Sequence, residues 1–237
     1  MTARRTTAPR TLRHLPALFL PMALLVSGCT GDDGGDESTP QDALAEAKTK
    51  LDETSGVQLE LSTDALPEKV DGLVNATGVG THAPAFEGSV DLLVNKLSLE
   101  VPVVAVDGKV YAKLPFTTKY AEVDPGDYGA PDPAQLMDST TGISSWLTEA
   151  TDVEAGDRIR EGSLVLSSYS GTLPGEVVAD SIPTADTSAD FPVTFRIDDE
   201  GTLHSVDVSG PFYGKGGDVD YTVTLTDYGT DEEITRP

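Results

Sequence analysis

The chain has 237 residues, and its 40 acidic residues outnumber its 16 lysines and arginines, which gives a formal net charge of -24. This charge disfavours contact with nucleic-acid phosphates, so we expect no nucleic-acid partner. One Cys and 3 His exclude an internal disulfide and a four-ligand structural zinc site. The hydrophobic content of 38% is that of a globular protein.

The first 28 residues (1–28) are predicted to be a lipoprotein signal peptide. Four arginines precede an apolar run at 15–26, which is too short to cross a hydrocarbon core about 30 Å thick. The sequence Leu25-Val26-Ser27-Gly28-Cys29 resembles the bacterial lipobox, in which the Cys is acylated, typically with palmitate, and becomes the new N-terminus. The alternative is an ordinary signal peptide with an incidental Cys. The lipobox predicts a protein anchored on the extracytoplasmic face of the cell membrane.

Residues 29–40 are expected to be the acylated N-terminus followed by a flexible acidic tether, because 30–40 is rich in Gly, Asp and Ser and contains no base. Residues 41–237 are expected to form a single domain. Its negative surface should be repelled by anionic headgroups. Acyl chains, and not electrostatic attraction, are therefore expected to hold the protein at the membrane.

The periodicity of apolar residues predicts a helix at 41–53 and then a change to strands. From Val57 apolar and polar residues alternate, as in a strand with one wet face. Asp107-Gly108 is typical of a two-residue hairpin turn. The further predicted strands span 73–80, 86–94, 97–106, 109–114, 163–169, 192–197, 202–209 and 219–226.

Helical segments are predicted between the two groups of strands. Asp132 can cap a helix, Pro133 suits its first position and Gln135 can complete a capping box. This helix is expected to pause at Gly142 and to resume through Leu147, and a shorter helical turn is expected at 175–182. The order of elements predicts an α+β fold with helices packed on one face of a large curved antiparallel sheet.

Three segments together resemble the LppX/LprAFG lipoproteins of mycobacteria and related actinobacteria. They are the hairpin 104–114, the segment 132–147 with its Asp-Pro-Ala-Gln start, and the closing strand 221–225. The resemblance extends from about Ala43 to Thr226 in the same order. It implies a half-barrel sheet with helices on its concave face, an enclosed apolar cavity, and a lipid-binding-type domain at 41–237. It implies no enzymatic activity.

Composition alone leaves open a core that is packed solidly by Leu and Val, whereas the resemblance favours a cavity for acyl chains. The candidate lining residues are apolar strand positions and helix positions opposite them. They are Leu59, Leu61, Leu92, Val94, Leu99, Val101, Val103, Leu136, Ile143 and Leu147.

The sequence contains neither a G-x-S-x-G elbow nor a P-loop, and we predict no catalytic residues, no metal site and no cofactor. Two hypotheses remain. The first is a membrane-anchored carrier or chaperone whose cavity binds an acylated lipid or glycolipid and which exchanges it with an envelope transport protein. The alternative is a non-enzymatic scaffold lipoprotein that binds another cell-envelope protein through its acidic face.

Overall fold

The structure, a computed structural model, describes residues 39–237. The predicted signal peptide, Cys29 and nearly all of the tether lie outside the described residues. Within them the main element is one sheet of antiparallel strands. The strands are β1 (Gly56–Ser62), β2 (Gly72–Thr81), β3 (Ala85–Val94), β4 (Leu97–Val106), β5 (Lys109–Ala112), β6 (Ala121–Val123), β7 (Thr151–Glu161), β8 (Leu164–Pro174), β9 (Asp190–Asp198), β10 (Leu203–Gly210) and β11 (Val219–Thr226).

The sheet is open and curved, which confirms the predicted fold class. Its strand order is β6-β5-β4-β3-β2-β1-β11-β10-β9-β8-β7. The first and last strands of the chain, β1 and β11, therefore pair at the centre. Each half of the sheet is built from strands that follow one another in the chain, so nearly every pairing is made through a local connection.

The described residues form three α-helices, and they cover one half of the sheet. Helix α1 (Pro40–Glu53) starts with a capping box between Thr39 and Asp42. It packs on α2 (Ile143–Glu149), and α2 in turn contacts α3 (Gly175–Ser181). Strands β7 to β10 lie beneath these helices. The helices are therefore on the concave face, but only over one side of it.

The hairpin between β4 and β5 turns at Asp107-Gly108, as the sequence predicts. Both residues have positive φ angles, 56° and 68°. Val106 pairs with Lys109 directly across the turn, and Val103 pairs with Ala112 further along. This register places Val101, Val103 and Ala105 on the core side of the sheet.

Two strands were not predicted. Strand β6 has only 3 residues, and β7 is an edge strand of 11 residues, more than half of them charged. Almost every side chain of β7 is exposed, so the strand has no apolar face that could produce a period of two. Charged side chains on an edge strand hinder pairing with a second chain.

The helix predicted to start at Asp132 is wrong. Only a single 3-10 turn forms, at Gln135–Met137, and the Asp132 carboxylate accepts a hydrogen bond from the Ala134 amide at 3.0 Å. Six residues after Asp132, the Asp138 carboxylate accepts hydrogen bonds from the Thr140 and Thr141 amides at 2.8 and 3.0 Å. These amides are thereby used in a turn, and the chain cannot continue as a helix until Ile143.

Aromatic side chains fill the part of the core under the helices. Phe212 makes edge-to-face contacts with Phe191 and Tyr221, with ring centroids 5.0 and 5.1 Å apart. Phe195 and Trp146 are fully buried in the same core. Aromatic rings bury more area than any other side chain, so this half is filled by large groups.

Replacing Gly108 by Val should lower the free energy of unfolding by about 1–2 kcal/mol, because a β-carbon disfavours the left-handed region. No atom lies within 4 Å of a β-carbon built on Gly108, so the cost is conformational and not steric. The melting temperature should fall by roughly 2–8 °C.

Gly156→Val is the matched control. Gly156 lies in the exposed strand β7, its φ is not positive, and a β-carbon there makes only ordinary contacts at 3.6 Å. This variant should keep the melting temperature. Equal melting temperatures for both variants would contradict the assigned turn.

Candidate functional site

A large cavity lies under the half of the sheet that the helices leave uncovered. Its floor is formed by β2, β3, β4 and β5, and its roof by the chain between Leu114 and Leu136. Its empty volume is about 820 Å³, including the part continuous with solvent. The lining residues are Leu73, Ala76, Val90, Leu92, Val94, Leu99, Val101, Val103, Val110, Ala112, Leu114, Pro115, Val123, Pro125, Tyr128, Ala130, Pro131, Pro133 and Leu136.

The lining is aliphatic except for Tyr128. Four of the roof residues are prolines, at positions 115, 125, 131 and 133. Proline has no backbone N–H, so these positions remove hydrogen-bond donors from the wall. Water therefore finds few partners inside, whereas a hydrocarbon chain meets matching surface.

The structure brings six of the ten predicted lining residues together in this cavity: Leu92, Val94, Leu99, Val101, Val103 and Leu136. Leu61 lines a second, smaller cavity. The remaining three, Leu59, Ile143 and Leu147, are buried in the continuous apolar core and line neither cavity.

The second cavity lies toward the helices and has an empty volume of about 390 Å³. Leu73, Pro131 and Leu136 line both cavities and form the wall between them. Trp146 lines the second cavity, and its indole Nε1 is buried without a hydrogen-bond partner among the described residues. Three residues are thus common to the linings of the two apolar spaces.

Two tyrosines hold the backbone of this wall. The Tyr213 hydroxyl accepts a hydrogen bond from the Leu73 amide at 2.9 Å and lies 2.8 Å from the Tyr221 hydroxyl, which donates to the Leu73 carbonyl. Burial raises the pKa of both phenols, so they stay protonated. The register of β2 shifts between Leu73 and Asn75, and the tyrosines satisfy the backbone groups there.

A polar depression adjoins the large cavity. It shares Val110, Val123 and Pro125 with the cavity and adds the charged groups of Lys109, Glu122, Asp124 and Asp132. The Lys109 ammonium donates to the Glu122 carboxylate at 2.6 Å, which raises the pKa of the lysine. Burial raises the pKa of Asp132, although the Ala134 amide opposes the shift. Hydrogen-bonding groups thus lie beside an aliphatic space.

Residues 39–237 contain no group of three or more His, Cys, Asp or Glu side chains that could hold a metal ion. His204 Nε2 lies 2.8 Å from Asp198 Oδ2 on the β10 and β9 hairpin. Burial alone would raise the pKa of Asp198, but hydrogen bonds from the Thr202 and Glu200 amides and from His204 lower it. None of the described helices is both long and apolar enough to cross a membrane.

Several lining residues were missed in the sequence because they belong to the roof. A segment with Pro at 115, 125, 131 and 133 has no regular period, so it does not predict which side chains point inward. The density of prolines between 115 and 133 is the one signal in the sequence that marks this segment. Val110 and Ala112 lie on a correctly predicted strand whose inward face was not assigned to the cavity.

Comparison with known proteins gives relatives over nearly the whole chain. The lipoarabinomannan carrier protein LprG of Mycobacterium tuberculosis is 24% identical over 221 residues, which cover 91% of this chain and 90% of the relative. LprG of Mycolicibacterium hassiacum is 27% identical over 239 residues, with coverage of 95% and 97%.

Solved structures show the same fold. LprF from Mycobacterium bovis superposes with a TM-score of 0.65 at 18% identity, covering 84% of this chain and 96% of LprF. LppX from Mycobacterium tuberculosis gives a TM-score of 0.59 at 15% identity, with coverage of 83% and 98%. Residues 39–236 match the family described as LppX_LprAFG lipoprotein. The chain belongs to the LppX_LprAFG lipoprotein family.

Proposed function

We propose that this protein is a membrane-anchored carrier or chaperone that holds the acyl chains of an envelope lipid or glycolipid in its large cavity. The observation that carries the proposal is the aliphatic lining, in which Tyr128 supplies the only side-chain hydroxyl. Each methylene moved from water into this space contributes about 0.8 kcal/mol.

The distribution of side-chain size supports a cavity with a ligand. Protein interiors are normally packed to crystal density, and an empty apolar space forfeits dispersion contacts along its whole lining. Under the helices the core is filled by rings such as Phe191 and Phe212, whereas Val, Leu, Ala and Pro line the cavity. An acyl chain would restore the missing contacts.

A glycolipid suits the surroundings of the cavity. The relatives LprG are named as carriers of lipoarabinomannan, a name that combines a lipid with a sugar polymer. In this chain, Glu122, Asp124 and Asp132 lie directly beside the aliphatic lining. Carboxylates accept hydrogen bonds from hydroxyl groups, so a hydroxyl-rich headgroup can remain in this depression while the tails are buried.

In this proposal the protein is not an enzyme. It is bound to the extracytoplasmic face of the cell membrane through acyl groups on Cys29. The protein would take the lipid from the membrane and pass it to an envelope transport protein. Membership of a lipoprotein family and the lipobox at 25–29 support the anchor. Lipid chains add affinity for a bilayer in proportion to their buried methylenes.

Enlarging Val103 to Trp should fill the cavity and weaken lipid binding. A displacement of about two methylenes of tail costs roughly tenfold in affinity. Because the indole enters unfilled space, the melting temperature should stay close to that of the unchanged protein. Displacement of a fluorescent fatty acid and thermal unfolding, measured on the same samples, test this prediction.

Val104→Trp is the matched control, since Val104 is 2% exposed but lines neither cavity and lies on the opposite side of β4. Overpacking should lower its free energy of unfolding by about 1–3 kcal/mol and leave lipid affinity unchanged. If both variants lose stability alike and the unchanged protein binds no acyl chain, the cavity is ordinary core. The scaffold hypothesis would then be favoured.

Cys29→Ala should release the protein from the membrane or leave it unprocessed, because acylation requires the sulfur atom. Fractionation of cells in high salt, with acyl labelling, measures this. A processed Cys29→Ala protein that stays in the membrane fraction would contradict the lipobox interpretation. Ser27→Ala, which keeps a small residue before Gly28, should be anchored normally and serves as the control.

A further inference from the structure

Exposed apolar side chains are concentrated at one end of the sheet, beside the cavity. Of the four large hydrophobic residues exposed among residues 39–237, three lie in two short segments. Leu97 follows the turn between β3 and β4, and Phe116 and Tyr120 lie in the loop between β5 and β6. Large exposed apolar groups that cluster mark a surface for a partner or a membrane.

The two segments, 95–98 and 113–120, lie at the same end of the sheet. Val94 pairs with Leu97, so β3 and β4 turn here. Ala112 pairs with Val103 and the Lys113 amide donates to the Pro102 carbonyl, so the chain beyond β5 advances along β4 toward Leu97. We call these two segments the lysine edge.

The lysine edge has the opposite charge to the rest of the protein. It contains Lys96, Lys113 and Lys119 and no acidic residue, in a chain with 40 Asp and Glu. None of these three lysines forms an ion pair with a described residue, whereas Lys48 and Lys109 each lie within 2.8 Å of a carboxylate. The net charge of the chain therefore conceals an exposed cationic strip.

Neighbouring loops at this end are of mixed charge. Asn95 is linked to the loop before β2 by a hydrogen bond of 2.9 Å from its amide to the Asp71 carboxylate. The loop before β2 contains Lys69, and the loop before β11 contains Lys215; both loops also contain acidic residues. The acidic residues are Asp64, Glu68, Asp71 and Asp218. The lysine edge therefore differs in charge from the loops beside it, which carry four carboxylates and two lysines.

Phe116 connects this edge to the cavity. Leu114 and Pro115 line the cavity, while the next side chain, Phe116, is fully exposed and its backbone has a φ of 67°. A bulky residue rarely adopts this left-handed conformation, which here directs the ring away from the protein. One short loop thus has a cavity-lining part and an outward aromatic part.

We propose that the lysine edge docks on an anionic phospholipid bilayer, with Phe116 and Leu97 entering the interface and the lysines contacting headgroup phosphates. Lysines around apolar side chains are the combination that binds anionic membrane surfaces. Docking would place the roof of the cavity at the membrane surface, where lipid is available. This contact is additional to the anchor and does not depend on what the cavity binds.

The test uses the protein as the cell processes it, mixed with vesicles of dibrominated phosphatidylcholine that contain or lack phosphatidylglycerol. Bromine quenches tryptophan only at close contact. The chain has 1 Trp, Trp146, which is buried. Phe116→Trp adds a reporter at the lysine edge, and Leu164→Trp adds one at an exposed apolar position of β8 as the matched control.

We expect brominated vesicles with phosphatidylglycerol to quench Phe116→Trp, and to quench Leu164→Trp no more than the unchanged protein. Adding Lys113→Gln and Lys119→Gln to Phe116→Trp should lower the ratio of docked to undocked protein roughly thirty-fold. Quenching should also fall when phosphatidylglycerol is omitted. Uptake of a brominated chain into the aliphatic cavity would instead be independent of these lysines.

Equal quenching at the two positions, or quenching of Phe116→Trp that is unchanged by loss of the lysines, would overturn the proposal. Absence of quenching at both positions would likewise overturn it. Either result leaves the carrier proposal intact, because lipid uptake is measured separately by displacement.

Discussion

The structure depends on how a single open sheet covers its concave apolar face. An antiparallel sheet must bury one face against another layer. Here the three helices of the described residues cover β7 to β10, and Trp146 joins the buried core that contains the aromatic rings. The other half receives only a proline-rich roof between Leu114 and Leu136. Close packing is thus achieved on one side, and a cavity remains on the other.

The wall between the halves is the point where the two kinds of packing meet. Leu73 contributes to both cavities, and its backbone is fixed by the hydroxyls of Tyr213 and Tyr221. The indole N–H of Trp146, which has no hydrogen-bond partner among the described residues, lies on the far side of this wall.

Local patterns predicted the sheet better than its cover. Alternation along 86–106 and the turn at Gly108 set the register, and Leu92, Leu99 and Val103 therefore reached the same cavity. Leu59 has the same alternation but lies near the centre of the sheet, and no local pattern reveals which half is loosely covered. Strand β7 was missed because both of its faces are exposed to solvent and its sequence therefore has no alternation of apolar and polar residues. The helix at Asp132 failed because the Asp138 carboxylate binds the Thr140 and Thr141 amides, which a continuing helix would need.

Net charge gave an incomplete picture of the surface. A net charge of -24 predicts repulsion from an anionic bilayer. The lysine edge nevertheless contains Lys96, Lys113 and Lys119, and its two segments contain no acidic residue. At physiological salt a field extends only about 8 Å, so a local cluster acts on what touches it regardless of distant carboxylates. In the docking proposal, the single lysine edge would fix the orientation of the acidic domain toward a membrane.

Native mass spectrometry of the protein extracted gently from a bacterial host tests the carrier account most directly. The account predicts a population of higher mass that releases an acylated lipid on collisional activation, in addition to the mass of the covalent anchor. The released species should be identifiable as an envelope lipid or glycolipid after solvent extraction. Protein that shows only the covalently acylated mass, and that takes up no acyl chain when lipids are added, would contradict the account.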